Sequence, residues 1–260
     1  MIELNKIYNE DCIEGMKKIE NQSVDLILTD LPYGTSASSW DKKIPMDKLW
    51  EQYERIIKPN RAIVLFSQQP FTSLLITSNL KLWKYNWIWE KDNATNFLNS
   101  HYQPMKITED ICVFGTGATS FSKNEHLIYN PQFEEGKPYI VVSGQQKENS
   151  AVSRGIEGRK KIGGNLTVNE GLRYPKNLIK FNRDKDKSHP TQKPVALLEY
   201  LIKTYSNEND IVLDSCIGSG TTAVAAIRTH RNFIGFELDT KYFNKSVKRV
   251  EEERKLVYGK

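Results

Sequence analysis

The sequence predicts an α/β protein built on a doubly wound, mostly parallel sheet. Two segments, residues 23–30 and 210–214, are short, nearly continuous apolar runs that end in a polar loop, as buried parallel strands do. Further apolar runs alternate along the chain with longer helix-like stretches, and strands that alternate with helices indicate a doubly wound sheet. The 260 residues are enough for one core, or for one core with a small insert.

The elements are predicted in a regular order. Residues 82–91 are rich in aromatic side chains and allow two interpretations, a base-stacking surface or a strand. The alternation of large apolar residues favours a strand that packs against a core. The predicted strands are 23–30, 62–66, 87–89, 111–114, 210–214 and 233–236, and the predicted helices are 46–57, 70–78, 194–205, 222–230 and 241–255.

The alternation of strands and helices stops between residues 117 and 188. Residues 115–188 carry 13 Lys and Arg against 8 Asp and Glu, whereas residues 1–114 carry 13 against 15. The positive excess suits either a solvated loop region or a surface for a polyanion, to which phosphate contacts supply affinity. We predict a core formed by residues 1–116 and 189–260, with an irregular insert at 117–188.

A glycine loop follows the strand that ends at Asp214. Gly218 and Gly220 allow a sharp turn and a close approach to a ligand, and the helix that follows offers free N–H groups. Glu237 lies 23 residues beyond Asp214, close to the spacing at which an acid binds a ribose diol. These features predict an adenosine-type cofactor. Because Ala223 completes a dinucleotide fingerprint, NAD remains an alternative, while the missing P-loop lysine argues against phosphate transfer.

The tetrapeptide Asp30-Leu31-Pro32-Tyr33 ends the first predicted strand. An exocyclic amine on a base is a poor nucleophile because its lone pair is delocalised into the ring. A carboxylate that accepts from its N–H bonds stabilises the positive charge that develops on the nitrogen. Asp30 supplies such a carboxylate, Pro32 stiffens the loop, and Tyr33 offers an aromatic face for an extruded base. An ordinary Asp-x-Pro turn is the alternative for this motif.

The tetrapeptide and the Gly218-Ser219-Gly220-Thr221 loop together resemble the motifs of the DNA amino-methyltransferases, which form N6-methyladenine or N4-methylcytosine. The catalytic motif precedes the cofactor loop, as in the β group of these enzymes. The resemblance covers most of the chain. It implies a Rossmann-like methyltransferase fold, S-adenosylmethionine as methyl donor and double-stranded DNA as substrate. It also implies that residues 117–188 form the target-recognition region.

The resemblance assigns roles to further residues. Asp11, in an Asp-Cys element before the first predicted strand, corresponds to an acid near the cofactor adenine. Lys193, in the element His189–Pro194, or the N-terminus of the helix that follows, would meet the methionine carboxylate. Glu237 corresponds to the ribose-binding acid. The predicted catalytic residues are Asp30, Pro32 and Tyr33, and the predicted cofactor-binding residues are Asp11, Lys193, Asp214, Gly218, Ser219, Gly220, Thr221 and Glu237.

The chain departs from the family pattern at two places. Leu31 replaces the first proline of the usual tetrapeptide, and Asp214-Ser215-Cys216 replaces Asp-Pro-Phe before the glycine loop. The side chain of Leu31 is not expected to take part in the reaction. The second departure places a thiol near the cofactor, which bears on affinity and not on the class of enzyme.

Several functions stay open beside adenine N6 methylation. Asp at position 30 favours adenine in this family, but cytosine N4 remains an alternative. Methylation of cytosine C5 is excluded because no cysteine follows a proline. An NAD-dependent oxidoreductase would leave Asp30 unexplained, and the intact Asp30 and Tyr33 argue against a non-catalytic DNA-binding module. RNA and the side-chain amide of a protein glutamine are further candidate substrates for an amino-group site.

Composition sets the remaining expectations. The three cysteines are far apart in the sequence, which argues against a disulfide framework. No cluster of His, Asp and Glu residues suggests a metal site. No apolar run reaches signal-peptide or membrane-helix length. We therefore expect a cytoplasmic protein without a metal. A homodimer and a cognate restriction endonuclease are candidate partners. Trp40 and Asp41, after the tetrapeptide, are candidates for contact with the extruded base or its strand.

Overall fold

The structure is a computed structural model that describes residues 2–34, 44–121, 123–142, 160–162, 166–184 and 192–259. Two predictions lie outside these residues. They are the contact of Trp40 and Asp41 with a base and the element at residues 189–191. Among the described helices, none is both long and apolar enough to cross a membrane.

Eight strands form the central sheet. Its order is β1-β13-β12-β2-β3-β5-β4-β11, and every pairing is parallel except those that β5 makes with its two neighbours. The predicted doubly wound, mostly parallel sheet is confirmed. In chain order the strands are β1 (Lys6–Tyr8), β2 (Val24–Asp30), β3 (Ile57–Ser67), β4 (Trp83–Thr95), β5 (Lys106–Gly115), β6 (Glu134–Glu135), β7 (Tyr139–Val142), β8 (Lys160–Ile162), β9 (Leu166–Asn169), β10 (Leu172–Arg173), β11 (Leu178–Lys180), β12 (Ile211–Asp214) and β13 (Asn232–Phe236).

The helices form two layers against this sheet. Strand β2 shows why, since its successive side chains point to opposite faces. Leu26 and Leu28 belong to the core cluster beneath α4, α5 and α6, whereas Ile27 belongs to the cluster beneath α1, α2 and α3. A strand buried on both faces therefore has the continuous apolar run that predicted it. The helices are α1 (Cys12–Met16), α2 (Met46–Ile56), α3 (Phe71–Ser78), α4 (Val195–Tyr205), α5 (Thr221–Arg228) and α6 (Thr240–Tyr258), with a 3₁₀ turn at Phe97–Asn99.

The aromatic run at residues 82–91 belongs to β4, as the core-strand interpretation predicts. Trp87 and Trp89 are 3% and 2% exposed, so neither ring is available for base stacking. The strand extends to Thr95, well beyond the predicted 87–89. It pairs with β5 as far as Glu90 and again between Thr95 and Lys106, with a register shift in between. Pairing at both ends of this polar stretch supports the extension, which the sequence does not favour.

The N-terminal elements β1 and α1 were not predicted. Strand β1 has three residues and pairs only with β13, at the edge of the sheet, so it carries no apolar run. Its existence corrects the position of Asp11, which follows the first strand and caps α1. Asp11 Oδ1 accepts from the backbone N–H groups of Ile13 and Glu14 at 2.9 and 3.2 Å.

The segment from 117 to 188 is partly separate from the central sheet. Its described residues form two small sheets, β7-β9-β8 and β10-β6. It then returns to the core at β11, where Ile179 pairs with Trp89 of β4 and is 6% exposed. The insert therefore contributes one edge strand to the core, and its boundaries as a recognition region stay a prediction.

Candidate active site

A cavity of about 390 Å³ lies at the carboxyl edge of the central sheet. The chain leaves β12 towards β13 on one side and leaves β2 towards β3 on the other, so the sheet order reverses between β12 and β2. Such a switch point leaves a crevice beyond the strand ends, where open α/β sheets bind ligands. All predicted site residues except Tyr33 and Gly220 line this cavity.

Asp30 is the last residue of β2, and its side chain is 28% exposed. Its Oδ1 accepts a hydrogen bond from the hydroxyl of Tyr33 at 2.9 Å, and its Oδ2 accepts one from Nζ of Lys193 at 2.6 Å. An ionised carboxylate offers about four lone-pair sites. Two acceptor positions therefore remain for an incoming N–H donor.

Tyr33 contacts a ring that the sequence analysis did not single out. Its ring stacks on Phe71, with centroids 5.0 Å apart and planes inclined by 26°. Burial, together with the carboxylates of Asp30 and Glu109, raises the pKa of Tyr33 well above 10. The Tyr33 hydroxyl therefore stays protonated at neutral pH and donates its hydrogen bond to Asp30. Phe71 supports the Tyr33 ring, and such a pair contributes about 1 kcal/mol beyond its buried area.

The two residues between Asp30 and Tyr33 both line the cavity. Leu31 is 4% exposed and also belongs to the core cluster beneath α1, α2 and α3. Leucine can replace the usual proline because at position 31 the side chain packs as a core residue.

The two glycines of the cofactor loop are required for different reasons. Both have positive φ, +52° at Gly218 and +79° at Gly220, where a side chain is unfavourable. A Cβ on Gly220 would lie 3.0 Å from Cβ of Ser246 on α6, whereas a Cβ on Gly218 would meet no atom within 3.9 Å. Gly220 therefore packs the loop against α6, and Gly218 leaves open space beside the backbone that lines the cavity.

Glu237 is fixed by two backbone donors. Its Oε2 accepts from the N–H of Gly218 at 2.9 Å, and its Oε1 accepts from the N–H of Asp239 at 2.8 Å. Burial raises its pKa, and the backbone donors offset this only in part. The carboxylate joins the glycine loop to the end of β13 and keeps free lone pairs at the cavity, as binding to a ribose diol requires.

Asp214 is buried at the end of β12. Its Oδ1 accepts from the N–H of Cys216 at 3.0 Å, and its Oδ2 accepts from the Thr222 hydroxyl at 2.5 Å. Burial is the largest cause that raises its pKa to about 7, against 3.8 for an ordinary aspartate, and the charge of Asp30 adds to it. The Asp214 side chain therefore carries partial charge at neutral pH.

The Ser219 and Thr221 hydroxyls contact each other at 3.0 Å. Arg249 of α6 donates to Thr221 Oγ1 at 2.9 Å and to the Ser219 carbonyl at 3.1 Å. Sequence reasoning missed Arg249, because nothing local marks one arginine of a charged helix as the partner of a distant loop. Through these bonds α6 holds the loop at the start of α5.

Lys193 lines the cavity and contacts two protein carboxylates. Its ammonium is ion-paired with Asp30 at 2.6 Å and with Glu109 at 3.3 Å. The alternative partner for a methionine carboxylate, the N-terminus of α4, is also engaged: the N–H of Val195 donates to Asp184 at 3.2 Å. The cofactor role predicted for Lys193 stays a prediction, and the described contacts favour another role for it.

The charges of the cavity indicate the kind of cofactor. Its described lining carries six carboxyl side chains and one ammonium, that of Lys193. The phosphates of NAD would add negative charge to this acidic surface, whereas a sulfonium with an amino group complements it. Among the described residues, no group of three His, Cys, Asp or Glu side chains could hold a metal ion. The acidic lining fits S-adenosylmethionine, whose sulfonium and amino group carry positive charge, and the contacts of Asp11 and Glu237 with the adenosine stay predictions.

The fold and the site thus define an α/β enzyme with an adenosine-type cofactor cavity and an amine-accepting carboxylate beside it. Comparison with known proteins gives the family. The family model described as "DNA methylase", for N6 and N4 methylation, matches residues 24–248. The chain belongs to the N6/N4 DNA methylase family. As a DNA methyltransferase of this family it uses S-adenosylmethionine, so the prediction of the cofactor is confirmed.

Individual relatives agree with this assignment. The DNA adenine methyltransferase YhdJ of Escherichia coli (strain K12) is 27% identical over 96% of this chain and 83% of its own length. The type II methyltransferase M.HinfI of Haemophilus influenzae is 30% identical over 96% of this chain and 69% of its own. Among solved structures, that of the M1.HpyAVI–SAM complex is 27% identical, covers 94% of this chain and 98% of that chain, and superposes with a TM-score of 0.62.

Proposed function

We propose that this DNA methyltransferase acts on the N6 amino group of adenine in double-stranded DNA. The observation that carries the proposal is Asp30, which stands at the cofactor cavity with both oxygens oriented by Tyr33 and Lys193. Aspartate at this position of the tetrapeptide favours adenine in the family. The relative YhdJ, named a DNA adenine methyltransferase, supports the same base.

The chemistry follows from the position of Asp30. The target amine donates an N–H to the carboxylate and another to a backbone carbonyl of the loop, which draws the nitrogen towards tetrahedral geometry. As the nitrogen becomes positively charged, these preorganised acceptors stabilise the charge. Bound S-adenosylmethionine supplies the methyl group, and Asp11, Asp214, Gly218 and Glu237 would hold it.

Tyr33 positions the base. A base inside a duplex is out of reach, so it must leave the stack and be held by stacking in the pocket. The ring of Tyr33 lies against Phe71, which restricts its movement. We assign Tyr33 to hold the extruded base, and Pro32 to fix the loop between it and Asp30.

Residues 117–188 supply the DNA-recognition region in this proposal. Lys123, Lys137 and Lys176 are exposed there and can contact phosphates. Such contacts position the protein, while side chains that reach base edges select the sequence. Type II methyltransferases such as M.HinfI are among the relatives, so we also propose a cognate endonuclease as a partner in the cell. A homodimer remains a proposal as well.

The test is product analysis. The purified protein is incubated with labelled S-adenosylmethionine and duplex DNA of mixed sequence, and the DNA is digested to nucleosides. We expect N6-methyladenine. Label in N4-methylcytosine alone would refute the choice of base and leave the family intact. If a folded, cofactor-binding protein labels neither, the proposed activity is wrong.

Matched variants test the residue. Asp30→Ala should abolish transfer and leave calorimetric binding of S-adenosylmethionine nearly unchanged. Asp47→Ala, at an exposed position of α2, removes the same side chain from the surface and should keep full activity. A fully active Asp30→Ala protein would remove Asp30 from the mechanism.

A further inference from the structure

Lys193 lies within an alternating row of charges that runs from the catalytic loop to the β4–β5 hairpin. Its ammonium is 2.6 Å from Asp30 Oδ2 and 3.3 Å from Glu109 Oε2. The other oxygen of Glu109 lies 3.2 Å from Nζ of Lys91. The side chains of Lys91, Lys193 and Glu109 are 5%, 10% and 16% exposed, so three of the four charged groups have little contact with water.

These burial values require the charges to be paired. Removing one partner from a buried ion pair leaves an uncompensated charge, which is costly. Burial lowers the pKa of Lys193, but the carboxylates of Asp30 and Glu109 outweigh this and raise it. Burial likewise raises the pKa of Glu109, and Lys193 and Lys91 more than reverse this. Lys193 and Glu109 therefore stay charged at neutral pH, and Lys193 is committed to protein carboxylates.

The two contacts of Lys193 are unequal. The contact with Asp30 is a hydrogen bond at 2.6 Å, whereas Glu109 Oε2 has an ion pair with Lys193 but no hydrogen bond among the described residues. The ammonium is therefore hydrogen-bonded to Asp30, and Glu109 attracts it electrostatically over the longer distance. Lys193 also lies 5.1 Å from the ring centre of Phe66, the residue that pairs with Asp30 in the sheet.

We propose that Lys193 is a positioning residue for Asp30 and that Glu109 holds Lys193 in place. The inference rests on the proposed role of Asp30 as acceptor of the amine. With Oδ2 fixed by Lys193 and Oδ1 by Tyr33, the carboxylate cannot rotate, and its remaining lone pairs keep one direction. This assigns Lys193 to the catalytic carboxylate and not to the methionine end of the cofactor.

Glu109 has a second role in this arrangement. A lysine beside the site where the amine becomes positive would by itself oppose the reaction. The negative charge of Glu109, 3.3 Å from the ammonium, offsets this repulsion while the hydrogen bond to Asp30 is kept. Glu109 therefore makes it possible to orient Asp30 with a cation without making the site positive.

The experiment compares Lys193→Met, Lys193→Arg and Glu109→Gln with Asp30→Asn, using the full chain. Lys203→Met, at an exposed position of the same helix region, is the control. Thermal unfolding establishes that each variant is folded. The Kd for S-adenosylmethionine is measured by calorimetry without DNA. The value of kcat is measured at saturating cofactor and DNA between pH 5 and 9.

For Lys193→Met we expect a cofactor Kd within about twofold of the wild type and a kcat lower by about 100-fold, the cost of a small misplacement in an active site. Lys193→Arg should recover part of kcat. Glu109→Gln should lower kcat in the same direction with unchanged cofactor binding, and it tests the inference if Lys193→Met does not fold.

Two results would overturn the inference. A Kd for cofactor weakened tenfold or more, with kcat unchanged at saturation, would assign Lys193 to the cofactor carboxylate. A kcat like that of the wild type in Lys193→Met and Glu109→Gln would make the ion pairs merely structural. Failure of the proposed function is distinguishable, since Asp30→Asn would then remain active whatever the lysine variants do.

Discussion

Replacing Asp214 with asparagine should change how the stability of this protein depends on pH. The carboxyl group is buried, 4% exposed, and accepts from Cys216 and Thr222. Its pKa is about 7 in the folded protein, against 3.8 for an ordinary aspartate, with burial as the main cause. Asparagine has nearly the same shape but cannot ionise, so the variant removes the titration.

The direction and size of the effect follow from the two pKa values. Below pH 3.8 the carboxyl is neutral in both states. Between pH 3.8 and 7 the folded protein keeps a proton that the unfolded chain has released, so this group's contribution to stability falls as pH rises, and it is constant above pH 7. The full change is about 4 kcal/mol, of which about 3 kcal/mol falls between pH 5 and pH 8.

Urea unfolding followed by tryptophan fluorescence at several pH values tests this prediction. The free energy of unfolding of Asp214→Asn minus that of the wild type should rise by about 3 kcal/mol from pH 5 to pH 8. The corresponding relative gain in Tm is roughly 5–10 °C. An altered hydrogen bond to Thr222 would shift all values equally. Glu251→Gln, exposed on α6, is the control. A difference that stays constant with pH would refute the argument.

Further predictions concern the cofactor loop. Gly220→Ala should destabilise the fold by about 1–3 kcal/mol, because φ is +79° and the new Cβ would lie 3.0 Å from that of Ser246. Gly218→Ala should cost about 1 kcal/mol, since its Cβ has space, yet it should weaken S-adenosylmethionine binding because the loop lines the cavity. Unfolding free energies equal to that of the wild type would contradict the predictions for these two glycine variants. Arg249→Met removes the donor to Thr221, and we expect about 1–3 kcal/mol lower stability and weaker cofactor binding by calorimetry; an unchanged Kd would count against this role.

Local patterns in the sequence predicted much of the fold. The apolar runs of β2 and β12 marked buried strands, because a parallel strand covered on both faces needs side chains of one kind throughout. The glycines and Glu237 predicted a nucleoside cofactor, since a positive φ and an acid at a strand end are readable from residue type and spacing. The family assignment made from these motifs is confirmed by the match over residues 24–248.

Elements that depend on pairing were harder to predict. Strand β1 has three residues and exists because β13 pairs with it, and β4 extends to Thr95 because β5 does. The edge strand β11 lies in a segment whose composition predicts an irregular insert of loops and short elements. In each case the hydrogen bonds come from a partner far along the chain, so no local window contains the information.

The sequence by itself determined which chemical groups this protein has: a carboxylate at Asp30, a glycine loop and an acid at Glu237. Only the tertiary structure decided their partners. Lys193 lies 163 residues from Asp30 yet donates to it, Phe71 stacks on Tyr33, and Glu109 pairs with Lys193. The reason is that strand order, which brings these segments to one edge, follows from the packing of the whole sheet and not from any local motif.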